Sequence, residues 1–395
     1  MTVAADPRAR LHALLAQRTE CNARFFEDES ERLARVCHLM AERFARGGRL
    51  IAFGHSPAAR SDARHVAVEF VHPVIVGKRA LPAIGLAGEG GDLAAQVSLL
   101  AAADDVAIGF GADSDGSQAA ARALAVARDR GCLTIAFAPA GAEWEFEPPT
   151  SDPYIRQELI ETLYHVLWEL VHVFFEHRGL LQGRSERRVH DAGASSFLYP
   201  FLDEREDDLD AVVEDVRRSV LMKAAEVGAL REQTLTDNAS VLVDAADALR
   251  ASFEQGGKLL ALGNGGSATD AMDVVADFRA GGRPAIDLTE DPGILTAIAN
   301  DIGVDAIFSR QVIAYGAGGD TLLALSTSGN SRNVIEALTE ARRRGLQTIA
   351  MVGYDGGRIA SDALAEHVVI SRSEHIPRIQ EAQASAYHAL RELVG

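Results

Sequence analysis

The sequence predicts an α/β protein made of two tandem domains, each a doubly wound parallel sheet led by N-terminal helices. Three observations predict it. The chain repeats itself in order: GGRLIAFG (Gly47 to Gly54) recurs as GGKLLALG (Gly256 to Gly263), RDRGCLTIAF (Arg128 to Phe137) as RRRGLQTIAM (Arg342 to Met351), and YIRQELIETLYH (Tyr154 to His165) as RIQEAQASAYH (Arg378 to His388). Short β-rich runs (LIAF, LLAL, TLLALS, TIAMVG, HVVIS) alternate with helical stretches such as NVIEALTEARRRG, the rhythm of βα units in a parallel sheet. At 395 residues the chain also exceeds the size at which one core stops growing.

Taken in chain order, each half opens with apolar residues at helical spacing, for example Leu242, Ala245, Leu249 and Phe253 ahead of the Gly-Gly that ends the helix. An amphipathic helical pair is therefore expected at the head of each domain. A first strand, a glycine-bearing turn and a helix follow in both halves. The distance between echoes then widens, because NDIGVDAIFSR (Asn300 to Arg310) has no counterpart in the first half. Between the halves, Arg178 to Asp208 turns from basic to acidic without sustained periodicity, as a linker does. The expected domains are 1–190 and 208–395, joined by a linker at 191–207.

Hydrophobic residues make up 47% and charged residues 24%, the balance of a folded globular chain. A net charge of −18 repels phosphate backbones and anionic lipid headgroups, so neither a nucleic acid nor a membrane surface is an expected partner. Cys21, Cys37 and Cys132 are odd in number and share no CxxC spacing, which suits a reducing cytoplasm. The N-terminal MTVAADPRARLHALLAQR lacks the apolar core of a signal peptide. The most apolar stretch, Tyr164 to Phe175, is too short for a membrane span and carries Glu169 and His172.

Ligands of doubly wound sheets bind beyond the carboxyl ends of the strands, where a following helix offers free N–H groups and its positive dipole end. Two turns of the second half suit an anion there. GNGGSATDAM (Gly263 to Met272) lets backbone approach a ligand closely, with Asn264 and Ser267 at hand. LSTSGNSRNVIEAL places the hydroxyls of Ser326, Thr327, Ser328 and Ser331 on a strand-to-helix turn. Read alone, such a turn is a helix N-cap; with a glycine-rich turn beside it, it reads as a cradle for a phosphate monoester.

GNGGSATDAM, NDIGVDAIFSR, STSGNSRNVIEAL and RIQEAQASAYH, in this order, resemble the phosphoheptose isomerases of the sugar isomerase (SIS) domain family. The resemblance runs through most of residues 210 to 395. It implies SIS-type, flavodoxin-like domains and conversion of sedoheptulose 7-phosphate to D-glycero-D-manno-heptose 7-phosphate. It also implies phosphate binding by Asn264, Ser267, Ser326, Thr327, Ser328 and Ser331. A divalent metal, zinc, is implied on a His and a Glu four residues apart plus a Gln and a His on the last helix, the Glu and the last His also moving protons.

The second half departs from that pattern: Asp273 and Asp277 stand where His and Glu are expected, although Gln380 and His388 are in place. Aspartate is shorter than glutamate and harder than imidazole, so this half is expected to be impaired as a zinc site. In the first half, His65, Glu69, Gln157 and His165 fill all four positions. Read alone, RHVAVEFVHPVIVG alternates like a strand, with structural histidines; the repeat makes it a helix with His65 and Glu69 on one face. Conversely the first half has lost the cradle. STSGNS corresponds to ADSDGS (Ala112 to Ser117), whose Asp113 and Asp115 repel a phosphate, and the glycine-rich turn corresponds to GHSPAARSDA (Gly54 to Ala63).

The resulting expectation is a metal-assisted enediol isomerisation with Glu69 as base and His165 as its acid/base partner. Metal and phosphate functions are divided between the halves, in a homodimer mimicking the family's tetramer. The alternates Gln380 and His388 as ligands, and Asp301 as a further site residue, stay open. So do two other functions: a non-catalytic SIS module that binds a sugar phosphate, and another phosphosugar isomerase of the same fold.

Overall fold

The structure, a computed structural model, describes residues 7–74, 78–87, 91–111, 117–176 and 208–395. They fall into two compact units, one of Cys21–Ala225 and one of Met1–Glu20 with Glu226–Gly395. The expected linker, 191–207, lies outside the described residues, as does nearly all of ADSDGS.

The unit of the first repeat holds five parallel strands, β1 (Leu50–Phe53), β2 (Ala83–Leu86), β3 (Val106–Gly109), β4 (Leu133–Ala136) and β5 (Trp144–Glu145), in the order β2-β1-β3-β4-β5. The other unit holds β6 (Leu259–Leu262), β7 (Ala285–Asp287), β8 (Thr321–Ser326), β9 (Gln347–Gly353) and β10 (His367–Ser371), in the order β7-β6-β8-β9-β10. Both orders are the flavodoxin-like 2-1-3-4-5, the expected doubly wound fold twice over. Alternate residues of each first strand face opposite layers. Leu50 and Ala52 enter one core and Ile51 and Phe53 another, just as Leu259 and Ala261 separate from Leu260 and Leu262.

The repeated glycines meet the same constraints in both units. Gly47 and Gly256 take φ +98° and +81°, the left-handed region that stops a helix. A side chain on Gly48 or Gly257 would run into the carbonyl of Asp104 or Gly319 respectively. Just beyond, Asp105 accepts from the Arg49 backbone N–H at 2.8 Å and pairs with its guanidinium. Asp320 does the same for Lys258, at 3.0 Å from the N–H and 2.6 Å from the ammonium.

Helix α1 (Pro7–Ala45) precedes β1 as one 39-residue helix, where a pair is expected. No glycine or proline interrupts it after Pro7, so nothing breaks it. The second repeat does have a pair, which with the helices between α1 and it numbers α6 (Leu209–Asp237) and α7 (Ala239–Glu254). Asn238 makes the break, donating to the carbonyls of Thr234 and Ile370 and accepting from the Ile370 N–H. The first turns of α1 and of α6 are counted with the unit of the other repeat. Leu11 and Leu15 lie in the core that contains β6, and Val212, Val216, Val220 and Ala224 in the core that contains β1.

The remaining helices of the first repeat are α2 (Pro57–Val71), α3 (Leu93–Leu100), α4 (Ser117–Asp129) and α5 (Pro153–Glu176). Those of the second are α8 (Gly266–Ala280), α9 (Pro292–Asp301), α10 (Ser309–Tyr315), α11 (Arg332–Arg343), α12 (Gly357–Ser361) and α13 (Ile376–Val394). The NDIGVDAIFSR insertion forms the end of α9, a 3-10 turn (Val304–Ala306) and the start of α10. Among the described residues, no helix is long and apolar enough to cross a membrane.

Candidate active site

His65 and Glu69 lie on α2, which packs against α5, so the strand-like alternation of RHVAVEFV is in fact helical and the two residues share a face. Both are 1% exposed, and His65 Nε2 stands 3.8 Å from Glu69 Oε1. From α5, His165 points its Nε2 at that of His65, 3.4 Å away. Burial, aided by the neighbouring His165, pushes the pKa of His65 well below the usual imidazole value. Gln157 is buried one helical stretch earlier on α5, and its side-chain nitrogen has no hydrogen-bond partner among the described residues. A half turn of that amide would present its carbonyl oxygen instead.

One residue of this pocket was not singled out in the sequence. Glu161, 3% exposed, lies between Gln157 and His165 on α5, and its carboxylate with His65 and His165 forms a group whose ligand atoms are all within 4.8 Å of one another. The signal was there: Gln157, Glu161 and His165 recur every fourth residue, hence on one helix face. Two imidazoles and a carboxylate so close together make a donor group that can hold a metal ion.

In the other unit the cradle forms where β6 and β8 end. Ser326 Oγ accepts from the Gly329 N–H at 3.2 Å and Ser328 Oγ from the Asn330 N–H at 3.2 Å, leaving each hydroxyl proton to be donated outward. Ser331 occupies the N-cap position of α11, yet its side chain caps no N–H; nor does Gly265 at the head of α8. Both helix N-termini thus keep donors for an anion. Asn264 joins the two turns through a reciprocal amide pair with Asn333, at 3.0 and 2.9 Å. Asn333 was not singled out either, since a lone asparagine behind a serine reads as part of the cap. Ser267 is buried and Thr327 half-buried. In the first repeat the corresponding helix differs in having a side-chain cap: Ser56 accepts from the Ala59 N–H at 3.3 Å.

A family model described as SIS domain matches residues 224–353. The chain is 44% identical over 197 residues to a phosphoheptose isomerase of Chlorobium phaeobacteroides, which covers 48% of this chain and 84% of that protein. A phosphoheptose isomerase of Thermodesulfovibrio yellowstonii is 40% identical over 188 residues, 46% of this chain and 91% of its own length. The chain belongs to the phosphoheptose isomerase family. It is by that membership an enzyme of the phosphosugar isomerase class. Among solved structures, the C-terminal domain of a glucosamine-fructose-6-phosphate aminotransferase from Francisella tularensis has a TM-score of 0.61 over 96% of this chain and 93% of its own, at 9% identity. That likeness is one of fold, and it extends over both repeats.

Set against the phosphoheptose isomerase pattern, the second repeat places Asp273, Asp277, Gln380 and His388 on α8 and α13, with Asp277 Oδ2 3.5 Å from His388 Nε2. Burial raises Asp277 to about 6, against the pull of His388 and Arg391. Among the described residues, no compact ligand group forms there: Asp273 stands in place of His65, and Ala384 in place of Glu161. Asp301 stands exposed at the end of α9, accepting from Asn300 Nδ2 at 2.7 Å.

Proposed function

We propose that the chain interconverts sedoheptulose 7-phosphate and D-glycero-D-manno-heptose 7-phosphate through an enediol. What supports this reading is the buried approach of His65 to Glu69 and to His165, from α2 and α5, in a member of this family, and we assign Gln157 of α5 as the fourth ligand. His65, Glu69, Gln157 and His165 would hold a divalent cation, zinc in our reading, which would supply Lewis-acid polarisation of the sugar's oxygens. Glu69 takes the proton from C1 of the ketose; the electron pair forms the C1–C2 double bond and O2 is protonated. His165 moves the oxygen protons, and return of the carbon proton to C2 with loss of the O1 proton completes the aldose, with no net gain or loss of atoms. We assign phosphate binding to Ser326, Thr327, Ser328, Ser331, Asn264 and Ser267, the hydroxyls and amide of the serine-rich and glycine-rich turns.

We further propose a homodimer acting in the cytoplasm; the three cysteines, all unbridged, support that compartment. The test is formation of aldose from sedoheptulose 7-phosphate, with fructose 6-phosphate as the comparison. Turnover should disappear on chelation and return with zinc. Glu69→Gln should lower kcat by roughly 100-fold to 10,000-fold, the usual worth of a positioned base. Full activity after thorough chelation would refute the metal-assisted route; binding of the sugar phosphate without turnover would favour a non-catalytic module.

A further inference from the structure

Glu161 has no place in the four-residue ligand pattern, yet it is the carboxylate that lies with His65 and His165 in the tightest group of donors. Tetrahedral zinc with bonds of about 2.0–2.1 Å holds neighbouring ligand atoms about 3.3 Å apart. The two imidazole nitrogens are already at 3.4 Å. Glu161 precedes His165 by four residues, so both reach the same point from α5. At the matching place of the second repeat, between Gln380 and His388, stands Ala384. The extra carboxylate accompanies only the repeat in which His and Glu are kept.

Resting on the metal-bearing reading above, we propose that Glu161 is a direct metal ligand, forming a His65–Glu161–His165 set, and that Glu69 is thereby released to act in proton transfer. In the four-residue pattern one glutamate must both ligate and take a proton. A carboxylate whose lone pairs are committed to a dication is a poor base. With two carboxylates the tasks separate, and together they neutralise the charge of the ion inside a buried pocket, where an uncompensated charge is costly.

The experiment compares wild type, Glu161→Gln and Glu69→Gln as full-length chains, stripped of metal. Zinc affinity is read by competition with a chromophoric chelator, and ligand geometry by the visible spectrum of added Co2+. Glu161→Gln should weaken zinc binding by well over about 100-fold, beyond the roughly 10-fold to 100-fold loss usual for a residue that only supports a ligand, and should alter the Co2+ bands. Glu69→Gln should keep zinc affinity within a few-fold and keep the bands while losing turnover. Glu161→Ala, which copies the residue of the second repeat, provides a second variant should glutamine disturb folding, and thermal unfolding of each metal-free protein reports on that. Unchanged zinc affinity in both Glu161 variants, or equal loss of metal from Glu69→Gln, overturns the proposal. Wild type that binds zinc without isomerising sedoheptulose 7-phosphate would instead refute the substrate reading and leave the Glu161 comparison decisive; wild type that binds no divalent ion overturns both.

Discussion

Gly329, at the crest of the serine-rich turn, has φ +62°, and a side chain there would run into the carbonyl of Gly356. Gly329→Ala should therefore distort the cradle itself, at a cost of about 1–3 kcal/mol for the strained backbone, and raise KM for the sugar phosphate at least tenfold with little change in kcat. An unchanged KM would show that the turn does not hold the phosphate. Asn333→Ala tests the brace behind it: Asn264 loses its reciprocal partner, so a several-fold rise in KM and about 1 kcal/mol of lost stability are expected from a urea titration. At this scale the sequence was readable wherever a repeat could be compared. The positions of His65, Glu69, Gln157 and His165 came from alignment with the second half. Glu161 and Asn333 did not, because the first has alanine opposite it and the second makes a contact that only the approach of β6 and β8 creates.

Helices and strands were legible to the extent that burial on both sides left a mark. The strands are short apolar runs and were readable; α2 was ambiguous, because a helix buried against both its sheet and α5 has few polar positions left to show a period of 3.6. The unbroken α1 was missed, since a pattern of apolar residues shows that a helix exists, not that two are fused. Within α5, His172 offers a prediction. Its ring nitrogens lie 2.8 and 3.0 Å from the carbonyls of Trp168 and Arg79, yet burial dominates and lowers its pKa to about 4. The folded state thus binds fewer protons than the unfolded one between the ordinary value of 6.5 and about 4. Stability is full above that window and falls with pH inside it, by up to about 1.4 kcal/mol per pH unit. Urea titrations at pH 7 and pH 5 should show the loss, and His172→Gln should flatten it; equal slopes in the two proteins would count against a neutral buried imidazole.

At the level of the whole molecule, the duplication is visible in matched strand order, matched glycines and the matched Asp105 and Asp320. Chemistry diverged while the strand order of the sheet did not. The first repeat caps α2 with Ser56 and has the histidines, whereas the second leaves α8 and α11 without a side-chain cap and has aspartate in place of His65. The expected boundary between halves rests on a shift of charge and a lack of periodicity, and neither carries a record of which core a helical turn enters. The core around β1 includes Val212, Val213, Val216, Val220 and Ala224. Burying each valine contributes about 1.5–3 kcal/mol, so their sum is comparable to the net stability of a domain. A fragment covering 21–225 should unfold cooperatively on heating, whereas one stopping at 190 should not; two equal transitions would contradict this.

That sharing of α6 bears on how such a gene can change. Once a core depends on amino acids encoded beyond its own copy, neither copy can be deleted or recombined away without unfolding what remains. The two copies are bound to a common fate, and each became at liberty to lose the half of the chemistry that its sibling retained.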